Sequence, residues 1–140
     1  MSAKHFIDTN IFVYSFDNLQ PSKKERASAL IQEALETGLG MISTQVIQEF
    51  LNVATQKFAV PMQIEDAVAY TRLVLNPLCQ VYPDLALYES CLEIQAKTRY
   101  SFYDSLILAA ALQGGCGMLY SEDLQDRQHV RGVRIVNPFT

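Results

Sequence analysis

The sequence predicts an α/β fold in which a mainly parallel sheet is covered by helices on both faces. Two observations carry that prediction. Short apolar runs of strand length alternate with longer stretches of helical periodicity along the 140 residues, the pattern of strands joined by helical crossovers. In addition, 49 % of the residues are apolar, enough to build a core and too many for a disordered chain. At this length one domain over 1–140 is expected. No repeat, low-complexity stretch or linker interrupts it.

Each element follows from local signals. His5-Phe6-Ile7 reads as a first strand that ends on Asp8, with Asn10 placed to cap a short helix through Phe16. Pro21 opens the next helix, where Ser22 and Glu25 match a capping box and Ala27, Leu30, Ile31, Ala34 and Leu35 share a face. Gly38 stops it. Met41-Ile42 is a second strand, and Ser43 or Thr44 caps a helix to about Phe58. Pro61 starts another, with Glu65 and Asp66 in its first turn, and Asn76-Pro77 ends it. A strand over Cys79 to Tyr82 precedes a helix capped by Asp84. Ser101 and Asp104 bracket the start of a nearly all-apolar helix that Gly114-Gly115 terminates. Met118 to Tyr120 and Val133 to Val136 complete the strands.

Several function classes fall away. The longest apolar run, Leu106 to Leu112, is far short of the roughly 18 residues that cross a bilayer. MSAKHFIDTN has no apolar signal core and reaches an acid at Asp8, so a cytoplasmic protein is expected. Cys79, Cys91 and Cys116 form no C-x-x-C pair, and His5 and His129 add no zinc spacing. Buried free thiols are expected instead. Neither G-x-G-x-x-G nor G-x-x-x-x-G-K-[ST] occurs. The net charge of −4 speaks against a protein that grips nucleic acid over its whole surface.

Ligand sites in open parallel sheets lie beyond the carboxyl ends of the strands. Asp8 ends the first strand there, Glu49 lies in the second turn of the helix leaving the second, and Asp123 follows the fourth. Asp104 starts the helix that feeds the fourth strand, so it reaches the same rim from the other direction. Taken singly, Asp8 and Asp104 are helix-start devices, Glu49 part of a polar stripe with Gln45, Asn52 and Gln56, and Asp123 a loop acid. Together on one rim they repel unless a cation lies among them. All-oxygen ligands suit Mg2+ or Mn2+, and such an ion with its water serves phosphodiester hydrolysis.

These residues also carry a family resemblance. FIDTNIFVYSFD, STQVIQEFLNV, SFYDSLILAAAL and LYSEDLQD resemble, in order and spacing, the motifs of PIN domains, and the terminal NPF recurs in small bacterial members. The likeness is nearest to VapC-type toxins of toxin–antitoxin pairs. It implies an α/β/α sandwich with a parallel sheet of four or five strands, and an Mg2+- or Mn2+-dependent endoribonuclease. By motif position it implies that Asp8, Glu49, Asp104 and Asp123 form the acidic metal site, with Asp126 as an additional acid. Thr9 and Ser121 would place hydroxyls near the metal or its waters, and Asn10 would serve mainly as a cap. It further implies an RNA substrate, a small antitoxin whose tail blocks the cleft, and a homodimer. Arg127 stands where similar toxins often have glycine, which implies a different local turn.

Basic residues are grouped. Lys97 and Arg99 precede the Asp104 motif, and Arg127, Arg131 and Arg134 follow Asp123, a candidate RNA-backbone track. Lys23 and Lys24 read as a solvated helix face. Tyr14, Phe16, Phe102 and Tyr103 offer rings to unpaired bases, although Phe102 reads as core. Two other readings compete: a non-catalytic PIN-fold binding module, and a phosphatase using Asp8 as nucleophile. The latter lacks the second acid of a D-x-D motif. Setting the four acids aside leaves 11 acids against 11 bases, so the acidic balance is the metal site itself and does not exclude an RNA substrate.

Overall fold

The computed structural model describes residues 4–140. Met1 to Ala3, part of the stretch without an export-signal pattern, lie outside the described residues. Strands β1 (His5–Ile7), β2 (Gly40–Ser43), β3 (Cys79–Val81), β4 (Met118–Tyr120), β5 (His129–Val130) and β6 (Val133–Val136) form one sheet in the order β3-β2-β1-β4-β6-β5. All neighbours are parallel except β5 and β6. The chain passes from β1 through α1 (Thr9–Tyr14) and α2 (Pro21–Thr37) to β2. It continues through α3 (Thr44–Gln56), α4 (Ile64–Tyr70), a π-helical turn (Thr71–Leu75) and α5 (Asn76–Leu78) to β3. Right-handed crossovers place these helices on one face. The return to β4 through α6 (Leu85–Thr98) and α7 (Phe102–Gln113) runs the opposite way and covers the other face. With both faces covered, every residue of β1 and β2 is buried.

The three-layer, mainly parallel architecture is the expected one, with one strand more than the four to five expected. The extra strand is β5, two residues long, with His129 exposed and only Val130 in the core. So short a ladder leaves no apolar pattern to read. It pairs with β6 across Arg131 and Gly132, both at positive φ.

Helix boundaries follow the expected signals in part. Gly38 adopts φ 71° and stops α2, Asp84 caps α6 by accepting from Leu87 N, and Ser101 caps α7 by accepting from Asp104 N. Asp8, rather than Asn10, is the cap of α1. The Ser22–Glu25 pair forms no capping box, because α2 already begins at Pro21 with Gln20 as its uncapped flank. Ser22 therefore lies inside the first turn. Beyond α4 the helix does not end at Asn76-Pro77 but continues through the π turn to Leu78. Pro77 lacks an N–H and its ring crowds the carbonyl four residues back, and the wider π turn removes that conflict.

One close approach fixes how α2 lies on the sheet. A Cβ at Gly40 would fall 2.4 Å from Ala34 Cβ and 2.7 Å from His5 Nε2, so any side chain there would push the helix off β2. The three cysteines are buried free thiols, as expected. Among the described residues no helix is long and apolar enough to cross a membrane.

Candidate functional site

β1 and β4 lie side by side, yet the chain leaves them toward different parts of the fold, which opens a crevice at their carboxyl ends. Asp8 follows β1 directly, and Ser121, Glu122 and Asp123 follow β4. The second turn of α3 brings Glu49 to the same place, and the first turn of α7 brings Asp104. Asp8, Thr9, Asn10, Glu49, Asp104 and Asp123 thus line one open cleft of about 320 Å3, together with Asn52, Val53, Lys57 and Ile107. Asp104 is half-buried at its edge, so its apolar sequence neighbours do not enclose it.

Neighbouring groups orient three of these carboxylates. Asp8 accepts from Thr9 N at 2.7 Å on one oxygen and from Ser121 Oγ at 2.8 Å on the other. The Thr9 hydroxyl donates to Glu49 Oε1 at 2.6 Å, and Gln45 Nε2 donates to Glu49 Oε2 at 3.2 Å. Asn10 Nδ2 donates to Asp123 Oδ2. Thr9 and Asn10, the first residues of α1, therefore tie the first motif to the second and the fourth.

Burial dominates the electrostatics. Asp8 is 7 % exposed, and its desolvation pushes the carboxyl up to about 7, against the lowering effect of the Ser121 and Thr9 hydrogen bonds. Repulsion from Asp123 and Glu49 adds to the rise. Asp123 is also raised, by desolvation and then by the charges of Asp104, Glu122 and Glu49. Negative charge is thus crowded here in the absence of a counter-ion.

Among the described residues no three His, Cys, Asp or Glu side chains are grouped tightly enough to enclose a metal ion. The donor set nevertheless fits one kind of ion. Four carboxylates without His or Cys, spread around an open cleft, suit a hard cation that keeps part of its water shell and meets some ligands through water.

Other residues from the motifs lie elsewhere. Asp126 does not line the cleft; its Oδ1 accepts from Asn137 N at 2.8 Å and holds the terminal NPF segment. Phe139 of that segment packs edge-on against Tyr14, centroids 5.0 Å apart. Arg99, Arg127 and Arg131 do not line the cleft either. Arg131 Nη2 pairs with Glu93 Oε2 at 2.9 Å. Lys23 is no free solvated side chain: its ammonium pairs with Glu122 over the Tyr14 ring, and the Tyr14 hydroxyl also donates to Glu122. Burial alone would raise Glu122, but these two partners outweigh it and hold the carboxyl below its usual range. The clamp joins α1 and α2 to the residue preceding Asp123.

The cation that does line the cleft is Lys57. Its signal was available, since Glu49, Val53 and Lys57 recur at intervals of four on α3.

Arg127 departs from expectation in an informative way. Its φ is 68°, so the turn keeps the left-handed conformation that glycine would favour, with Arg127 N bonded to Ile135 O at 2.8 Å. Arginine pays a steric penalty there of roughly 1 kcal/mol. Arg127→Gly should therefore raise stability by about 0.5–1 kcal/mol, after allowing for glycine's greater unfolded-state entropy. Urea denaturation of the two proteins at equal metal concentration measures it.

The chain matches the PIN domain family over residues 5–129. No curated protein matches it. Solved structures share its fold. A toxin–antitoxin complex from Klebsiella pneumoniae aligns at TM-score 0.67 and 21 % identity, over 96 % of this chain and 98 % of that one. The DNA-bound VapBC of Salmonella typhimurium aligns at TM-score 0.65 and 22 % identity, over 96 % and 97 %. VapC20 of Mycobacterium tuberculosis, a sarcin-ricin loop cleaving toxin, aligns at TM-score 0.59 and 19 % identity, over 86 % and 90 %.

Proposed function

The chain belongs to the PIN domain family, and from that premise we propose that it is an Mg2+- or Mn2+-dependent endoribonuclease, the toxin of a toxin–antitoxin pair. The observation that carries this reading is the gathering of Asp8, Glu49, Asp104 and Asp123 from four separate parts of the chain around one cleft. These four would hold the ion. When bound, it supplies Lewis acidity at the scissile phosphate and a water of lowered pKa.

The other residues of the chain prepare that site. Ser121 and the Thr9 N–H occupy one lone pair on each oxygen of Asp8, and the Thr9 hydroxyl orients Glu49. Asn10 steadies Asp123, and the Lys23–Glu122–Tyr14 clamp steadies the loop behind it. Lys57, on the cleft wall, is placed to take a non-bridging phosphate oxygen and so to offset the acidic field for an approaching RNA. Asp126 helps by anchoring the carboxyl-terminal segment rather than as a ligand.

The toxin assignment draws support from motif order, from full-length likeness to toxin–antitoxin structures, and from apolar surface suited to a protein partner. Leu51, Ile64 and Val68 line an open apolar groove between α3 and α4, with Ile64 70 % exposed. A small antitoxin and a second copy of the chain are the partners we assign, in the cytoplasm.

Asp104→Asn tests the catalytic reading. It should leave the fold intact and slow Mg2+-dependent cleavage of structured RNA by at least about 100-fold, the scale of losing one electrostatic group from an active site. Undiminished cleavage by the purified variant, with host nucleases excluded, would contradict it. RNA binding without cleavage by the wild type would instead mark a non-catalytic PIN-fold module.

A further inference from the structure

We propose that a second cavity, adjoining the acidic cleft, is a pocket for one unpaired RNA base that carries an exocyclic amino group. The proposal rests on the nuclease reading and names what lies next to the phosphate that is cut. The cavity holds about 270 Å3 between the amino end of α3 and the α6–α7 pair, with Ser43, Gln45, Pro83, Tyr88, Phe102 and Tyr103 on its walls. That is just below the roughly 300–1,000 Å3 of pockets for larger organic ligands. It suits a single heteroaromatic ring.

The polar groups on the wall are incomplete in a specific way. Gln45 Nε2 donates to Glu49 Oε2 at 3.2 Å and to Tyr103 O at 3.1 Å. Both partners are pure acceptors, so they fix which end of the amide faces them. Gln45 Oε1 is left on the other side, buried and without a donor. Ser43 Oγ is also buried without a partner, although Ser43 flanks the start of α3 and could have capped it. Gln45 and Ser43 are 7 % and 3 % exposed. Buried polar atoms in native proteins are nearly always satisfied, so two orphans on one cavity wall point to a ligand that supplies a donor.

The remaining walls point to a flat aromatic ligand. Tyr88 and Tyr103 are 40 % and 63 % exposed, and Phe102 supports Tyr103 edge-on at 5.3 Å. Exposed rings of this kind stack on splayed-out bases. Adenine, cytosine and guanine each present an amino group that can donate to Gln45 Oε1, with Ser43 Oγ able to accept or donate beside it. Uracil flanks its single N–H with two carbonyls and would set acceptor against acceptor. Because Gln45 bonds Glu49 directly, an occupant of this pocket is a neighbour of the metal cleft.

The test is amide NMR of the full chain in Mg2+ buffer titrated with adenosine or uridine, which lack a phosphate to compete for metal. Adenosine should shift amides around Ser43, Gln45, Tyr88 and Tyr103, and bind about tenfold more tightly than uridine, the ratio for one ordinary hydrogen bond. Ser43→Ala should weaken adenosine by a similar factor while leaving the melting temperature unchanged or higher. Ser105→Ala, which removes another buried unpartnered hydroxyl away from the cavity, should bind as the wild type does. Equal binding of the two nucleosides, shifts centred on the acidic cleft, full binding by Ser43→Ala, or a cavity closed by a second copy of the chain would each overturn the proposal. RNA cleavage without shifts at the cavity overturns the pocket alone. Shifts at the cavity in a chain that cuts no RNA overturn the nuclease reading and leave a nucleoside pocket.

Discussion

Asp8→Asn should abolish RNA cleavage and at the same time make the metal-free protein more stable. Asp8 is the most deeply buried of the four acids, and its carboxyl is pushed up to about 7 by desolvation. Ionising it near neutral pH therefore costs folding free energy that a neutral amide avoids. The amide also fits the existing partners: its oxygen can keep the Thr9 N–H, and its nitrogen can donate to Ser121 Oγ, which has lone pairs free to accept. A gain of about 1–3 kcal/mol at pH 8 is expected, seen as a rise of several degrees in melting temperature with chelator present. Destabilisation at that pH would mean that the charge of Asp8 is structural and not held for a ligand.

The second large effect is on pH. The carboxyl of Asp8 titrates near 7 in the folded chain against 3.8 for an unperturbed aspartate. Below 3.8 both states carry the proton and Asp8 costs nothing. Between 3.8 and 7 the unfolded chain has released its proton while the folded chain keeps it, so stability falls as pH rises. Above 7 both states are ionised and the penalty is complete, about 4 kcal/mol from this group. Asp123, also raised, acts in the same direction. Glu122, lowered by its two partners, acts oppositely, but its gain is already complete above its unfolded value. Denaturation at pH 5 to 8 with chelator should show declining stability across this window, and millimolar Mg2+ should reverse the decline at the alkaline end. Stability that climbs through the same window would refute the assignment.

Much of this site could be read from the sequence because its parts are carried by strand ends. Asp8 and Asp123 each follow a short apolar run, and a parallel sheet delivers such residues to one edge whatever the detail of the helices. Glu49 and Asp104 were legible through their distance from a helix start. What escaped was information that lies in three dimensions. Asp126 resembles a fourth-motif ligand in sequence, yet it turns to bind Asn137. Lys23 looks like a solvated residue until Glu122 arrives from the far end of the chain. Arg127 in a left-handed turn contradicts the local preference for glycine, because its N–H is taken by Ile135 and the β5–β6 ladder decides the backbone. The missing capping box at Ser22 and the π turn before Pro77 are smaller cases in which proline governed the local path. Gln45 read only as part of a polar stripe, since nothing in one dimension shows which face of an amide is satisfied.

The central claim is that these carboxylates exist to hold a divalent ion. Calorimetric titration of Mn2+ into the wild type and Asp8→Asn at pH 7.5 tests it most directly. The account predicts saturable binding with release of protons by the wild type, because Asp8 must give up its proton to serve as a ligand, and loss of both signals in Asp8→Asn. No binding by the wild type at millimolar Mn2+, or RNA cleavage that continues unchanged in excess chelator, would contradict it.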